Sequence, residues 1–144
     1  MLPEERAAEA GPALPIEPPE PDVTPFDLIR YAMQSVHSPK RLVDPVPGIA
    51  RAPVAQRSVS KLYDNGAHLG LVLIPLRSWA AGGLYVTAIR VENRHSHDMV
   101  LSPIRVQGRL VASAFYRRRL PPLGKTTLAV VTEHPFPAAI GGVR

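Results

Sequence analysis

Between Leu84 and Thr132 apolar and polar positions alternate in short runs, and the rest of the chain is read around that stretch. In Leu84–Asn93 an extended chain points Tyr85, Thr87, Ile89 and Val91 one way, and Val86, Ala88, Arg90 and Glu92 the other. A period of two predicts a strand with one buried face. Arg94–Asp98 reads as a polar turn. Met99–Leu101 and Ile104–Val106 flank Ser102-Pro103, where proline forces an edge, a bulge or a break. Leu110–Tyr116 alternates again, with Leu110, Ala112, Ala114 and Tyr116 on one side. After a turn at Pro121–Gly124, Thr126–Thr132 is the last clear strand. Short strands between turn clusters predict an antiparallel sandwich.

Upstream the period changes. Thr24-Pro25-Phe26-Asp27 opens a helix: Thr24 caps it, Pro25 suits its first turn and Asp27 its positive end. Phe26, Ile29, Ala32, Met33 and Val36 fall on one face at helical spacing, and Ser38-Pro39 ends the run. The face packs on the core or meets a partner. Lys40–Pro53 is a connector with three prolines and a glycine. Val54–Ser60 begins a strand. Asp64-Asn65-Gly66 joins Lys61–Tyr63 to Leu69–Leu76 as a hairpin. Leu71–Ile74 is apolar throughout, which suits a central strand, and Pro75 limits it. Arg77–Gly83 reads as a loop carrying Trp79, which either plugs the sheet end or anchors a partner.

The predicted organisation follows. Residues 1–23 are a disordered, acidic, Pro-rich linker, 24–38 an amphipathic helix, 39–53 a connector, 54–137 a β-sandwich domain and 138–144 a flexible tail. The class is mainly β: an Ig-like antiparallel β-sandwich preceded by one short amphipathic helix and a disordered Pro-rich arm.

Composition narrows the chemistry. Of the 144 residues 17 are proline and 10 glycine, which argues against a helical protein. Cysteine is absent, so disulfides, thiolate catalysis and Cys-bound metals are excluded. No apolar run approaches the ~20 residues of a membrane-spanning helix. Residues 1–22 hold six carboxylates against Arg6, a balance of −5, and the whole chain is +5, so the remainder carries +10. A basic body attracts a polyanion, an anionic surface or an acidic partner.

Each candidate motif falls short of an active centre. Gly124-Lys125-Thr126 resembles the end of a phosphate-binding loop, but Arg119 occupies the position of its first glycine and a strand pattern follows. His95-Ser96-His97-Asp98 is a polar turn, because nothing completes a metal's ligand set. The carboxylates of residues 23–144 are isolated, and no serine lies in a nucleophile elbow. No catalytic residue, cofactor or metal is expected. Arg117-Arg118-Arg119, with Arg105, Arg109 and Lys125, could form a basic stripe for nucleic acid, or simply a solvated face.

From Trp79 through Leu84-Tyr85-Val86-Thr87-Ala88-Ile89-Arg90-Val91-Glu92-Asn93-Arg94 the chain resembles the carboxy-terminal half of TraK-like proteins of integrating conjugative elements, components of conjugative type IV secretion systems. The resemblance continues through Val100-Leu101-Ser102-Pro103, Gly108, Ala112-Ser113-Ala114-Phe115 and Leu120–Thr132 to Phe136. It reaches back to Leu28–Ala32 and Pro39–Leu42, and so covers residues 24–137. It implies a non-catalytic scaffold, exported to the periplasm and held at the outer membrane. There the β-sandwich would pack against a small lipoprotein and other secretion-core subunits, with a homo-oligomeric ring as one arrangement.

Members of that family usually open with a signal peptide and an amino-terminal β-domain. This chain opens with neither, so it reads as lacking the first domain, with residues 1–23 as the former linker and a cytoplasmic fragment as the alternative location. Two rival readings stand beside the scaffold: a basic β-domain that binds nucleic acid directly, and a truncated remnant without a partner. For the scaffold, the broken run Met99–Val106 is the expected open edge. The expected partner-binding residues are Trp79, Tyr85, Met99, Val100, Arg117, Arg118 and Arg119.

Overall fold

The structure, a computed structural model, describes residues 23–141; the expected Pro-rich arm lies outside the described residues except for Val23. Helix α1 spans Pro25–His37. A reciprocal capping box starts it: Asp27 N–H donates to Thr24 Oγ1, and Thr24 N–H donates to Asp27 Oδ2, both at 3.1 Å. Those hydrogen bonds, and then the nearby Arg30 charge, hold the Asp27 carboxyl below its ordinary range. The helix ends where expected, at Ser38 before Pro39.

The expected face of α1 packs on the core at Ile29, Ala32, Met33 and Val36 and departs only near its start. Leu28 and Ala32 are fully buried, whereas Phe26 is 68% exposed, with the Arg30 guanidinium 5.5 Å from its ring centroid. Leu28 and Ala32 enter a core with Ala81, Val86, Ala88, Ala129 and Val131. The small alanines of the sheet let the helix approach closely, and that approach places its i, i+4 pair innermost.

The strands are β1 (Ala50–Ala52), β2 (Leu71–Ala81), β3 (Leu84–Asn93), β4 (Met99–Val100), β5 (Ala112–Phe115), β6 (Arg119–Leu120) and β7 (Lys125–Thr132). Five form an antiparallel sheet in the order β1-β2-β3-β7-β5, and β4 pairs with β6 as a separate two-stranded ribbon. The chain is thus mainly β, as expected, with one amphipathic helix ahead of its strands. Helix α1 covers one face of the large sheet. Val59, Leu62, Tyr63, Leu101, Leu120 and Phe136, from irregular segments, the ribbon and the last helix, cover the other.

Strand β2 departs furthest from expectation. Proline does not end it, and Arg77–Ala81 is strand rather than loop. β1 pairs only with Ser78–Ala80, so Pro75 lies where β2 has no strand on its outer side and no ladder bond is lost. The register shifts between Pro75 and Arg77. This bulge exchanges the faces. Leu71, Leu73 and Pro75 stand opposite Asn93, Val91 and Ile89, while Arg77, Trp79 and Ala81 stand opposite Ala88, Val86 and Leu84. Odd-numbered side chains therefore serve the ribbon-side core before the bulge and the helix-side core after it. β3 is buried on both faces from Val86 to Ile89, not on one.

The β2–β3 turn is Gly82-Gly83, both at positive φ (59° and 80°), which suits a two-residue hairpin. The expected hairpin at Asp64–Gly66 does not form. Tyr63 bridges to Val106 instead, and Leu71 N–H donates to Gly66 O within the local loop. Val54–Ser60 forms no strand with β2 beyond Val59 N–H to Leu73 O; the short strand lies earlier, inside the expected connector. Leu110 joins the ribbon-side core while Ala112 and Ala114 face α1, because Gly108 (φ 110°) and a break in regular pairing precede β5. Helix α2 (Phe136–Ala139) runs into the expected tail, and Phe136, Ala139 and Ile140 are buried; residues 142–144 of that tail lie outside the described residues.

Candidate partner-binding ribbon

The sheet carries its most irregular structure beyond the end of β3, and Asn93 positions it. Asn93 is fully buried. Its Nδ2 donates to the carbonyls of His97 (2.9 Å), Leu120 (3.0 Å) and Pro121 (3.2 Å), and its Oδ1 accepts from His95 N–H at 2.8 Å. Its backbone N–H donates to Gly124 O and its carbonyl accepts from Leu123 N–H. One amide thus closes the turn after β3 and holds β6 beside it. A second buried side chain fixes the segment after β4: Tyr63 Oη accepts from Ser102 N–H at 2.9 Å.

These two fixtures bring four of the expected residues together. Met99 stands opposite Leu120, and Val100 opposite Arg119. Arg118 Nε donates to Leu101 O at 3.1 Å, and Leu101 N–H to Arg118 O at 2.6 Å. Val100 is 60% exposed. Ile104, which the sequence did not single out, is 91% exposed in the turn Pro103–Arg105. The ribbon therefore presents apolar side chains beside cations. Among the described residues, none of the triplet Arg117–Arg119 is ion-paired.

Arg117 turns towards α1. Its N–H donates to Thr126 Oγ1 at 2.9 Å, and its guanidinium lies 5.8 Å from the Tyr116 ring centroid. The ring of Tyr116 stacks on His37 at 3.7 Å and 11°. His37 Nε2 is 2.8 Å from Thr127 Oγ1. Burial, and then the Arg117 charge, lower the His37 pKa from its ordinary 6.5. No sequence spacing announces this contact, which joins residues 37 and 116 across the sheet edge.

Trp79 and Tyr85 do not join the ribbon. They sit at the other end of β3, roughly 25 Å away at ~3.3 Å per residue. Trp79 is only 4% exposed and packs against Tyr31 with ring centroids 5.4 Å apart, so it is a core plug and not an exposed anchor. Tyr85 is half-buried between Ala80 and Thr132. Nor is Met99–Val106 one continuous edge strand. Its first two residues pair with β6, the next form a 3-10 turn, and Val106 bridges to Tyr63. Among the described residues β5 is a further edge, since it ends the order of the large sheet.

Among the described residues no three His, Asp or Glu side chains are grouped to hold a metal ion. His97 N–H donates to His95 Nδ1 at 3.2 Å, an arrangement internal to the turn. Gly124-Lys125-Thr126 leads into β7, not into the helix a phosphate loop requires. No helix among the described residues is long and apolar enough to cross a membrane. No curated protein matches the chain. The family model described as protein of unknown function, DUF3438, matches residues 4–140, and the chain belongs to that family.

Proposed function

We propose that the protein is a non-catalytic interaction module, a scaffold part of a conjugative type IV secretion channel at the outer membrane. The observation that carries the interaction reading is the ribbon: two buried hydrogen-bonding side chains, Asn93 and Tyr63, hold a segment whose Val100 and Ile104 face solvent beside Arg118 and Arg119. Rigid presentation of apolar side chains with a cationic rim suits a protein partner, since little ordering entropy is lost on docking. The edge of β5, in register with Leu128–Val131 of β7, adds backbone for pairing further along the sheet. The resemblance to TraK-like proteins supplies the setting: the periplasm, with a small outer-membrane lipoprotein and neighbouring subunits, in a ring or otherwise, as partners.

Site-specific crosslinking from Ile104 in conjugating cells tests this. The expected product is an adduct with an outer-membrane lipoprotein or a second subunit. A folded, exported protein that gives no adduct from Ile104 or Val100, and whose V100D/I104D variant supports normal DNA transfer, would overturn it.

Direct nucleic-acid binding has one observation in its favour: Tyr116 is 47% exposed beside three arginines. Its ring, however, is stacked by His37 and approached by Arg117, which hinders a base from stacking there. Gel shifts across a salt series distinguish the readings. Affinity falling steeply with salt would support the nucleic-acid reading.

A further inference from the structure

At the opposite end of the sheet, a cleft of about 730 Å³ opens between α1, the connector and strands β1 and β2. Among the described residues its lining includes Lys40, Arg51 and Arg77 and no carboxylate. The register explains the convergence. Arg51 of β1 stands opposite Trp79, and Arg77 lies two residues from Trp79 on the same face because the bulge has turned that part of β2 towards α1. Lys40 follows the helix in a 3-10 turn. Arg77 Nη1 reaches the Ser35 carbonyl at 3.4 Å, which holds it at the rim. The nearby carboxylate, Asp44, is bound to Gln34 and lines a neighbouring groove instead. Tyr31 and the edge of Trp79 form the floor.

We infer that this cleft is a binding site for an extended acidic peptide segment of a partner protein. Three observations select that ligand. Three cations around one cleft favour several negative charges over one. The floor is aromatic, which suits the apolar body of a peptide. The rim is β1, a three-residue strand that among the described residues has no strand on its outer side, and it offers backbone hydrogen bonds to an extended chain. The cleft is separate from the ribbon, so the inference does not depend on the proposed function.

Trp79 is the single tryptophan of the chain and lines the cleft, so its fluorescence reports occupancy directly. The full-length protein is titrated with a synthetic peptide of alternating glutamate and alanine, with its lysine counterpart, and with inorganic phosphate. The expected result is a saturable change with the acidic peptide alone, weakened by salt, and at least about tenfold weaker in both R51E and R77E. K40E, on the connector, gives a third reading should a strand variant misfold. The inference is overturned by an unchanged spectrum at saturating peptide, by charge-reversed variants that bind as the native protein does, or by phosphate binding as tightly as the peptide.

Discussion

Asn93 Nδ2 lies 3.0 Å from the Leu120 carbonyl oxygen, joining the end of the longest strand pair to the ribbon across 27 residues. Removing the amide leaves three carbonyls and the His95 N–H without this partner, part of them buried. Orphaning a buried polar group costs about 1–3 kcal/mol. Asn93→Ala is therefore expected to lower the unfolding free energy by at least that amount in urea titration. It should also speed hydrogen exchange at Leu101 and Leu123. A native-like urea midpoint would show that the ribbon is held by its apolar contacts alone.

His37 makes stability depend on pH in a definite direction. The helix's negative end favours the imidazolium, but burial and Arg117 outweigh it and lower the folded pKa from 6.5. The unfolded chain then binds its proton first. The contribution is complete above about pH 6.5 and is lost as pH falls through the folded value. Stability measured between pH 7.5 and 5 should decline, and His37→Gln should flatten part of that decline. A wild-type and a Gln profile of equal slope would remove His37 as the source.

Gly82 and Gly83 separate two effects that usually occur together. Both have positive φ, so an alanine at either is strained, by more than about 1 kcal/mol. A Cβ at Gly83 meets nothing within 4 Å, whereas one at Gly82 would lie 3.0 Å from Val23 Cβ. Gly82→Ala is expected to be the more destabilising, and the difference should shrink when Val23 is also alanine. Equal melting points for the two single variants would mean that Val23 does not pack against the hairpin.

Trp79 shows how a single bulge decides what a residue does. Its burial beside Tyr31 predicts that Trp79→Ala costs about 3–5 kcal/mol, as truncation of a large core aromatic does. Thermal unfolding measures this directly. A variant with native stability would restore the expectation of an exposed anchor.

The same residue marks the limit of what was legible. The extended run of β3, the Thr24 cap of α1 and the turn before β7 are local properties legible from neighbouring residues, although β3 is buried on both faces rather than one. The β class of the chain followed from them. Trp79 was read as loop because Pro75 and the glycines bracket it, yet an open strand flank tolerates the proline and the glycines only close the hairpin. Asn93 was invisible as a fixture, since its partners lie in a turn and a ribbon whose pairing no period encodes. Met99 and Val100 are legible from the proline-broken run Met99–Val106 and Arg118 and Arg119 from the basic triplet, while nothing local singles out Ile104 within that run. The basic cleft was not legible at all: Lys40, Arg51 and Arg77 are spaced by 11 and 26 residues and meet only through sheet register.

The arginine triplet offers the last test, because its three members differ in attachment. Arg118 Nε holds Leu101 O, and Arg117 is tied to the Tyr116 stack, but the Arg119 side chain is exposed opposite Val100. Arg119→Glu should therefore leave the melting point within about the spread of ordinary surface substitutions, ±0.5 kcal/mol. Arg118→Glu should lower it by about 1 kcal/mol through the lost charge-assisted bond. If the ribbon meets an acidic partner, both variants slow association with the protein captured from Ile104, and the effect fades as salt screens the charges. Rates unchanged at low salt in Arg119→Glu would make the triplet a solvated surface, with docking left to Val100 and Ile104.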